Sequence, residues 1–589
     1  MWHLTHKSSP TRRPGRSGGF LVDIALLLII LALFAGLVEF GSEWLAPSAT
    51  GTERGVRINL SLWSLPEYAF MSFTRGLIAY IISLVFSLIV GGIAAHNRIA
   101  ERIIIPTLDI LQGIPVLGFM PGLVIALASI FPRSNIGLEL ACILMIFTAQ
   151  AWNLAFAFYG STRAVPSEFR EVAKIHQFGW WKTFKTVELP YAAIPLVWNS
   201  MMSMAGGWFF LTVNESFRLG THDYRLQGIG SYMSLAIEQG NKPAMIAAVV
   251  AMFIVIIISD RLIWNPVSVW SVRFRLDDSL KAPPGSAVIG FLKKSLALRK
   301  IRALIATRPN VGETSSLSKL RALNPIPQSS RKSAKVFFSR VTAYIRGAIG
   351  LFFVGLFIWG TAKLSMMTFK VQAAEWIEIV ISLGLTFLRT TGCLVLSLIW
   401  ALPAGILIGR NEKLSQRIQP VVQLLASFPA PMLYPLVLAV ILASGINFQW
   451  GCTLLMLLGA QWYVLFNVIA GAQSIPSDLR EVSAIYRMTK FDRWTKLYVP
   501  AVVPSLLTGL VTAAGGAWNA SIISEFIRYN GETLSARGLG SLITRATETG
   551  NMPLLCASVG VMAAFLVLIN RMVWKPLFKY SDQRYAMNR

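Results

Sequence analysis

The sequence predicts an all-α polytopic membrane protein with about 12 transmembrane helices, arranged as two parallel six-helix repeats. Three observations predict it. The first is composition: of 589 residues, 54% are hydrophobic and 14% charged, far less charge than a soluble surface carries. The second is a series of long apolar runs. The third is that the series repeats. A soluble enzyme, a secreted disulfide scaffold and a disordered chain all fit this composition poorly.

Six runs precede residue 265, at about 21–40, 75–96, 106–130, 137–160, 194–214 and 243–263. Six follow, at about 346–366, 384–408, 420–445, 449–472, 502–523 and 552–573. Each is close to the roughly 20 residues that span a bilayer. They are apolar on nearly all sides, so helix is the spanning form available to them.

The repeat is read directly. Phe73, Arg75, Pro106, Pro115 and Pro121 recur as Phe387, Arg389, Pro420, Pro429 and Pro435, at an offset of 314. Trp152, Pro166, Pro190, Trp208, Glu215 and Arg261 recur as Trp462, Pro476, Pro500, Trp518, Glu525 and Arg571, at an offset of 310. The four-residue slip lies around the loop 131–136. An even number of runs per copy leaves both copies oriented alike across the membrane. The expected organisation is a tail at 1–20, a first unit at 21–276, a connector at 277–344 and a second unit at 345–589.

Charge orients the chain. The net charge is +26, which in a soluble protein would point to nucleic acid. Here residues 261–346 hold 17 Lys/Arg against 3 Asp/Glu, and residues 1–20 add Lys7, Arg12, Arg13 and Arg16. Basic and acidic residues cancel in the loops of the other side. This is the positive-inside pattern, with both termini cytoplasmic. The run 21–40 is too long for a cleavable signal and reads as a first spanning helix. In the connector, 286–307 mixes apolar and basic residues as an interfacial helix or a simple tether would. Residues 308–334 read as a flexible linker.

Cys142, Cys393, Cys452 and Cys556 each lie inside an apolar run, and His3, His6, His96, His176 and His222 make no metal spacing with them. No disulfide framework and no metal site is expected.

The most informative stretch is a polar loop after the fourth run of each copy. The first, PSEFREVAKIHQFGWWKTFKTVELP, runs from Pro166 to Pro190; the second, PSDLREVSAIYRMTKFDRWTKLYVP, runs from Pro476 to Pro500. Each opens with Pro-Ser, helix-start chemistry, and continues as a short amphipathic helix. Such a helix either docks on a cytoplasmic partner or lies on the membrane surface. The same Arg-Glu pair and closing Pro at equal spacing in two diverged copies favour docking.

These loops resemble the EAA loop of the permeases of bacterial type I ABC importers. Glu171, Val172 and Ala173 match its start, and Leu189 and Pro190 its close; Glu481, Val482, Ser483, Val499 and Pro500 do so in the second copy. Gln177 and Arg487 stand where the family has glycine, so the bend between two short helices is where this chain departs. The stretches QGIGSYMSLAIEQGNKP from Gln227 and RGLGSLITRATETGNMP from Arg537 resemble the nitrate/sulfonate/taurine branch. They share Gly228/Gly538, Gly230/Gly540, Ser231/Ser541, Gly240/Gly550 and Asn241/Asn551.

The resemblance implies the type I importer permease fold, with two units fused in one chain. It implies a pathway for a small anion such as nitrate, a sulfonate or bicarbonate. Coupling to the ATPase would run through Arg170, Glu171, Val172, Ala173 and Pro190, and through Arg480, Glu481, Val482, Ser483 and Pro500. The chain has no G-x-x-x-x-G-K-[ST] phosphate loop. ATP and Mg would therefore sit on two separate ATP-binding subunits, or a homodimer of one, with this chain binding no cofactor itself. A periplasmic or extracellular substrate-binding protein is the other partner implied, and the bacterial cytoplasmic membrane is the location.

Polar groups at membrane depth are candidates for the pathway. Arg75 and Arg389 either flank it or snorkel to the interface. Glu215 and Glu525 either gate it or cap the fifth helix of each copy. Trp208 and Trp518 either constrict it or pack through neighbouring small residues. The competing function is an ion-gradient-driven secondary transporter with 6+6 parallel repeats. A membrane-embedded enzyme would need a nucleophile–base or metal constellation, which the histidines do not supply.

Overall fold

The computed structural model describes residues 16–45, 53–55, 57–113, 115–219, 222–274, 365–529 and 531–585, with isolated positions between 286 and 362. The chain divides into two compact units: residues 1–35 with 285–370, and residues 36–284 with 371–589. The connector 277–344 and the run 346–366 lie almost wholly outside the described residues. The first run falls on α1 (Arg16–Leu45), where Leu27, Leu28, Leu31 and Phe34 are exposed.

The larger unit holds both repeats. The first is α2 (Leu65–His96), α3 (Arg98–Gly113), α4 (Val116–Ile130), α5 (Ile136–Arg163), α6 (Ser167–Ile175), α7 (Trp180–Thr183), α8 (Leu189–Asn214), α9 (Ile229–Glu238), α10 (Lys242–Ser259) and α11 (Asn265–Ser271). The second is α12 (Ala373–Gly409), α13 (Glu412–Ser427), α14 (Ala430–Ala443), α15 (Phe448–Gln473), α16 (Ser477–Ile485), α17 (Lys490–Arg493), α18 (Val499–Ser524), α19 (Leu539–Thr549), α20 (Met552–Ile569) and α21 (Lys575–Tyr585). Even the irregularities recur. The π-helical segments Phe184–Glu188 and Asp260–Trp264 reappear as Trp494–Tyr498 and Asn570–Trp574.

Among the described residues eight helices are long and apolar enough to cross a membrane, or nine if one bent pair counts as a span. Four of the expected runs are not among these spans. The run 346–366 lies almost wholly outside the described residues. The runs 106–130 and 420–445 are not single straight helices: Pro115 and Pro429 sit extended at the N-caps of α4 and α14. A proline pushes the residue before it out of helical geometry and withholds an N–H, and Phe428 is extended accordingly. α13 and α14 meet at 88°. In the fourth case, the run 194–214, α8 is long enough but carries Asn199, Ser200, Ser203, Thr212 and Asn214.

Helix packing follows small residues. On α2 the buried stripe includes Gly76, Ala79, Ser83, Ser87, Gly91 and Ala94, while Ile81, Ile82, Val85, Ile89 and Ile93 are exposed, as a lipid-facing side should be. Ser87 Oγ donates to Ala151 O on α5 at 2.9 Å. A Cβ on Gly91 would come within 2.9 Å of Ala155 O, so α2 and α5 approach to backbone contact. In the second repeat Gly405 and Gly409 press on Val468 and Ala472 of α15 in the same way.

Short strands follow α8 and α18. β2 (Ser216–Leu219) and β3 (His222–Arg225) form an antiparallel hairpin, with β1 (Glu53–Gly55) parallel to β3. β4 (Phe526–Tyr529) and β5 (Glu532–Ser535) form the second hairpin. The shared Gly-Asn-x-Pro segments are helix punctuation. Gly240 and Gly550 take φ values of 64° and 70° to end α9 and α19, and the Asn241 and Asn551 side chains accept from Ala244 N and Leu554 N. Proline then enters the first turn.

Candidate functional site

Two features stand out: a cavity between the repeats, and a pair of loops at one end of the helices lining it. The cavity has a volume of ≈ 450 Å³. The first repeat contributes Gln112, Thr148, Ser203 and Phe209; the second contributes Thr390, Tyr463, Gly515, Trp518 and Asn519. Among the described lining residues the charged ones are Asp109, Arg571 and Lys575, all towards the helix ends that carry the basic loops. The rest of the wall is hydroxyl, amide, aromatic and small. The lining stops before Glu215 and Glu525, so the cavity does not reach the hairpin side.

Its two seams are not alike. Val116 N donates to Asn519 Oδ1 at 2.9 Å; the residue equivalent to Asn519 is Phe209, which packs on the apolar cluster of Ala430, Tyr434 and Leu438. Lys575 pairs with Asp109 at 2.9 Å, and Asn570 Nδ2 donates to Asp109 Oδ1. Across the pseudo-twofold, Gln423 Nε2 donates to Asp260 Oδ1 at 3.4 Å.

Arg75 and Arg389 neither line this cavity nor snorkel: they are 1% and 3% exposed. Arg75 donates to Glu215 Oε1 and makes a bidentate pair with Glu139, at 2.6 and 2.7 Å. Arg389 donates to Glu525 Oε1 at 2.8 Å and to Gln449 O and Oε1. Glu215 and Glu525 are fully buried and belong to the same clusters. Each also accepts from the first turn of the following helix, through Gly230 N or Gly540 N. A helix N-terminus favours a negative charge. A hydroxyl completes each cluster: Ser72 donates to Glu215 and accepts from Ile229 N, and Thr386 does the same for Glu525 and Leu539 N. A Cβ at Gly228 or Gly538 would fall on these carboxylates, which explains both glycines.

Thus Arg, Glu and Ser/Thr form a buried latch joining the second helix, the fifth helix and the post-hairpin helix of each repeat. Glu139/Gln449 and Ser72/Thr386 escaped sequence reading, although their positions repeat at the same offsets as the arginines and glutamates. The tryptophans part company. Both are buried; Trp208 stacks on Phe73 at 6.3 Å, while Trp518 meets Phe565 edge-on at 5.8 Å and also borders the cavity.

The loops lie at the opposite end of α8 and α18, about 39 Å from the latches at about 1.5 Å per residue. Arg170 and Arg480 each turn a guanidinium nitrogen back onto the protein. Each donates to a carbonyl in the last turn of the long helix before the loop, Arg170 to Thr162 O at 2.7 Å and Arg480 to Ala472 O at 3.2 Å. A cation is well placed at a helix C-terminus. Ala173 and Ser483 are buried beneath the short helix, whereas Glu171, Val172, Glu481 and Val482 are exposed. Pro190 and Pro500 enter the first turns of α8 and α18.

The bend survives without its glycine. Gln177 and Arg487 take φ values of 50° and 47°, and Phe178 N and Met488 N reach back to Ala173 O and Ser483 O, closing a left-handed helix end. A side chain at such a φ costs about 1 kcal/mol. Gln177→Gly and Arg487→Gly are therefore expected to stabilise their loops by about that amount, read as slower amide hydrogen exchange over residues 167–178 and 477–488.

Fold and site define a class: an all-α membrane protein whose two fused repeats enclose a solute-sized cavity. The chain belongs to the family described as "binding-protein-dependent transport system inner membrane component", whose model matches residues 83–263 and again 401–586. It is similar to the nitrate import permease protein of Leptolyngbya laminosa, 27% identical over 169 residues, 29% of this chain and 57% of the relative. It is also similar to the bicarbonate transport system permease protein of Synechococcus elongatus, 28% over 169 residues, 29% of this chain and 58% of the relative. A third is the putative aliphatic sulfonates transport permease protein of Bacillus subtilis, 25% over 181 residues, 30% of this chain and 62% of the relative. The chain spans about half the length of the curated relatives it matches.

Proposed function

We propose that this chain is the complete membrane pathway of an ATP-driven importer for a small anion, with ATP hydrolysed by separate subunits docked on its two loops. The observation that carries the reading is the pairing of one cavity, walled by both repeats, with one exposed docking helix per repeat at the same end of the wall. Helices α8 and α18 link the two, each running from a loop along the cavity. Nucleotide-driven movement of the loops would then tilt the walls between two states.

An anion suits the cavity chemically. Its wall is neutral and polar, with the Tyr463 hydroxyl on it while Thr390, Ser203 and Asn519 donate to Phe387 O, Gln150 O and Gly515 O, and Arg571 is the lining charge in excess once Lys575 pairs with Asp109. The relatives named for nitrate, bicarbonate and sulfonates support the same class. The basic tail and connector support a reading with both termini in the cytoplasm of a bacterial cell and the hairpins outside, where a substrate-binding protein would deliver the anion. ATP and Mg belong to the partner subunits.

The test is uptake of labelled nitrate, bicarbonate and taurine into vesicles carrying the chain with its ATP-binding partner. Uptake is expected to require internal ATP, and Glu171→Ala with Glu481→Ala is expected to uncouple hydrolysis from uptake. Full uptake on an ion gradient alone would favour the secondary-transporter reading instead.

A further inference from the structure

The two seams between the repeats are related to each other by an exchange of charge. One seam sets α3 of the first repeat against the π-helical segment Asn570–Trp574 of the second, where Asn570 Nδ2 donates to Asp109 Oδ1 at 3.3 Å. The other sets α13 of the second repeat against Asp260–Trp264 of the first, where Gln423 Nε2 donates to Asp260 Oδ1 at 3.4 Å. Asp109 and Gln423 are equivalent at the offset of 314, and Asp260 and Asn570 at the offset of 310. The same two positions therefore meet twice. Each time one is a carboxylate and the other an amide, with the sides exchanged. All four side chains are half-buried, where charges act on one another more strongly than in open water.

The exchange separates right pairings from wrong ones. Two copies of the first repeat would set Asp109 against Asp260 at both seams, carboxylate on carboxylate. Two copies of the second would set Gln423 against Asn570, amide on amide. Lys575 widens the difference. It opens α21 and holds Asp109 at 2.9 Å, whereas Asn265 opens α11 at the equivalent position. A pair of first repeats would have four carboxylates and no lysine at these positions; a pair of second repeats would have two lysines and no carboxylate. Arg261 and Arg571 are equivalent arginines, so they favour no pairing over another. A further contact agrees. Val116 N donates to Asn519 Oδ1 at 2.9 Å; a pair of first repeats would put Phe209 there and take that acceptor away, which is costly for a buried N–H.

We propose that Asp109, Asp260, Gln423, Asn570 and Lys575 form a pairing code, by which each repeat accepts the other and rejects a copy of itself. The membrane partner fitted to the first repeat is thus the second repeat of this chain. Such discrimination combines attraction in the right pairing with repulsion in the wrong one. Fusion then supplies the two unlike repeats in equal number. The code is independent of what the cavity carries and of what drives it.

The experiment imposes a like-with-like seam on the full chain. Gln423→Asp, Asn570→Asp and Lys575→Asn together give the second repeat the residues of the first. A second variant adds Asp109→Gln, Asp260→Asn and Asn265→Lys, which exchanges the residues between the repeats and restores both pairings. Yield of monodisperse protein and thermal unfolding in detergent are compared with the wild type. The three-residue variant is expected to unfold about 5 °C or more below the wild type, and the six-residue variant to recover most of that loss, because the added changes couple to the first three. A three-residue variant as stable as the wild type overturns the code. A six-residue variant no more stable than the three-residue one also overturns it, since the damage would then belong to the substitutions and not to their pairing. If the three-residue variant yields no protein, recovery of yield in the six-residue variant supports the code and its absence overturns it. Neither readout involves ATP or solute, so failure here leaves the importer reading standing.

Discussion

Arg75→Ala is expected to prevent stable folding rather than merely slow transport. The guanidinium is 1% exposed and satisfies two carboxylates, Glu139 and Glu215, both buried. Removing one partner of a buried pair costs about 3–5 kcal/mol, because the other charge is stranded without water. Here two are stranded, against a total stability of about 5–15 kcal/mol for a typical protein. Arg389→Ala strands one carboxylate, Glu525, and should do less damage. Glu139→Gln should be mild, because the second repeat already uses Gln449 at that position and holds Arg389 through its amide and main-chain oxygens. The expected order of damage is Arg75→Ala, then Arg389→Ala, then Glu139→Gln, read as yield of monodisperse protein and as thermal unfolding in detergent. If Arg75→Ala matched the wild type in both, the latch would be ornamental and the arginine free for another role.

This latch shows where the sequence was legible and where it was not. The apolar runs and the repeat were readable because bilayer thickness and duplication each leave a periodic mark on a single chain. The docking loops were readable because Pro-Ser starts and Arg-Glu pairs are local chemistry. The arginines were misread because the group that explains Arg75 lies 140 residues away, and a charge in an apolar run has no visible partner in its own neighbourhood. A signal was nonetheless present: Arg75 and Glu215 were both duplicated, as Arg389 and Glu525, at the offsets of 314 and 310 that mark the two blocks of the repeat. Positions that repeat as opposite charges on two different helices are candidates for a mutual pair before they are candidates for a pathway. The broken third helices belong to the middle case. Pro115 and Pro429 mark the repeat, but an apolar run such as 420–445 does not reveal that its helix breaks, there with a turn of 88°.

The pathway itself meets a stringent expectation at Gly515. A Cβ built there meets nothing within 4 Å, and the residue lines the cavity, so an added side chain projects into the open space rather than into a neighbouring helix. A tryptophan would fill a large part of ≈ 450 Å³. Gly515→Trp is therefore expected to reduce uptake to background while leaving thermal unfolding unchanged or slightly raised, since glycine within a helix costs about 1 kcal/mol against ordinary residues. Gly560 provides the control. Its Cβ position is equally open, but it does not line the cavity, so Gly560→Trp should transport normally. Gly509→Ala should behave in the opposite manner, losing stability, because its Cβ would crowd Asn467 Cβ at 2.9 Å and Tyr463 O at 3.0 Å. Uptake at the wild-type rate by a folded Gly515→Trp variant would mean that solute crosses elsewhere, and the cavity between the repeats would lose its claim to be the route.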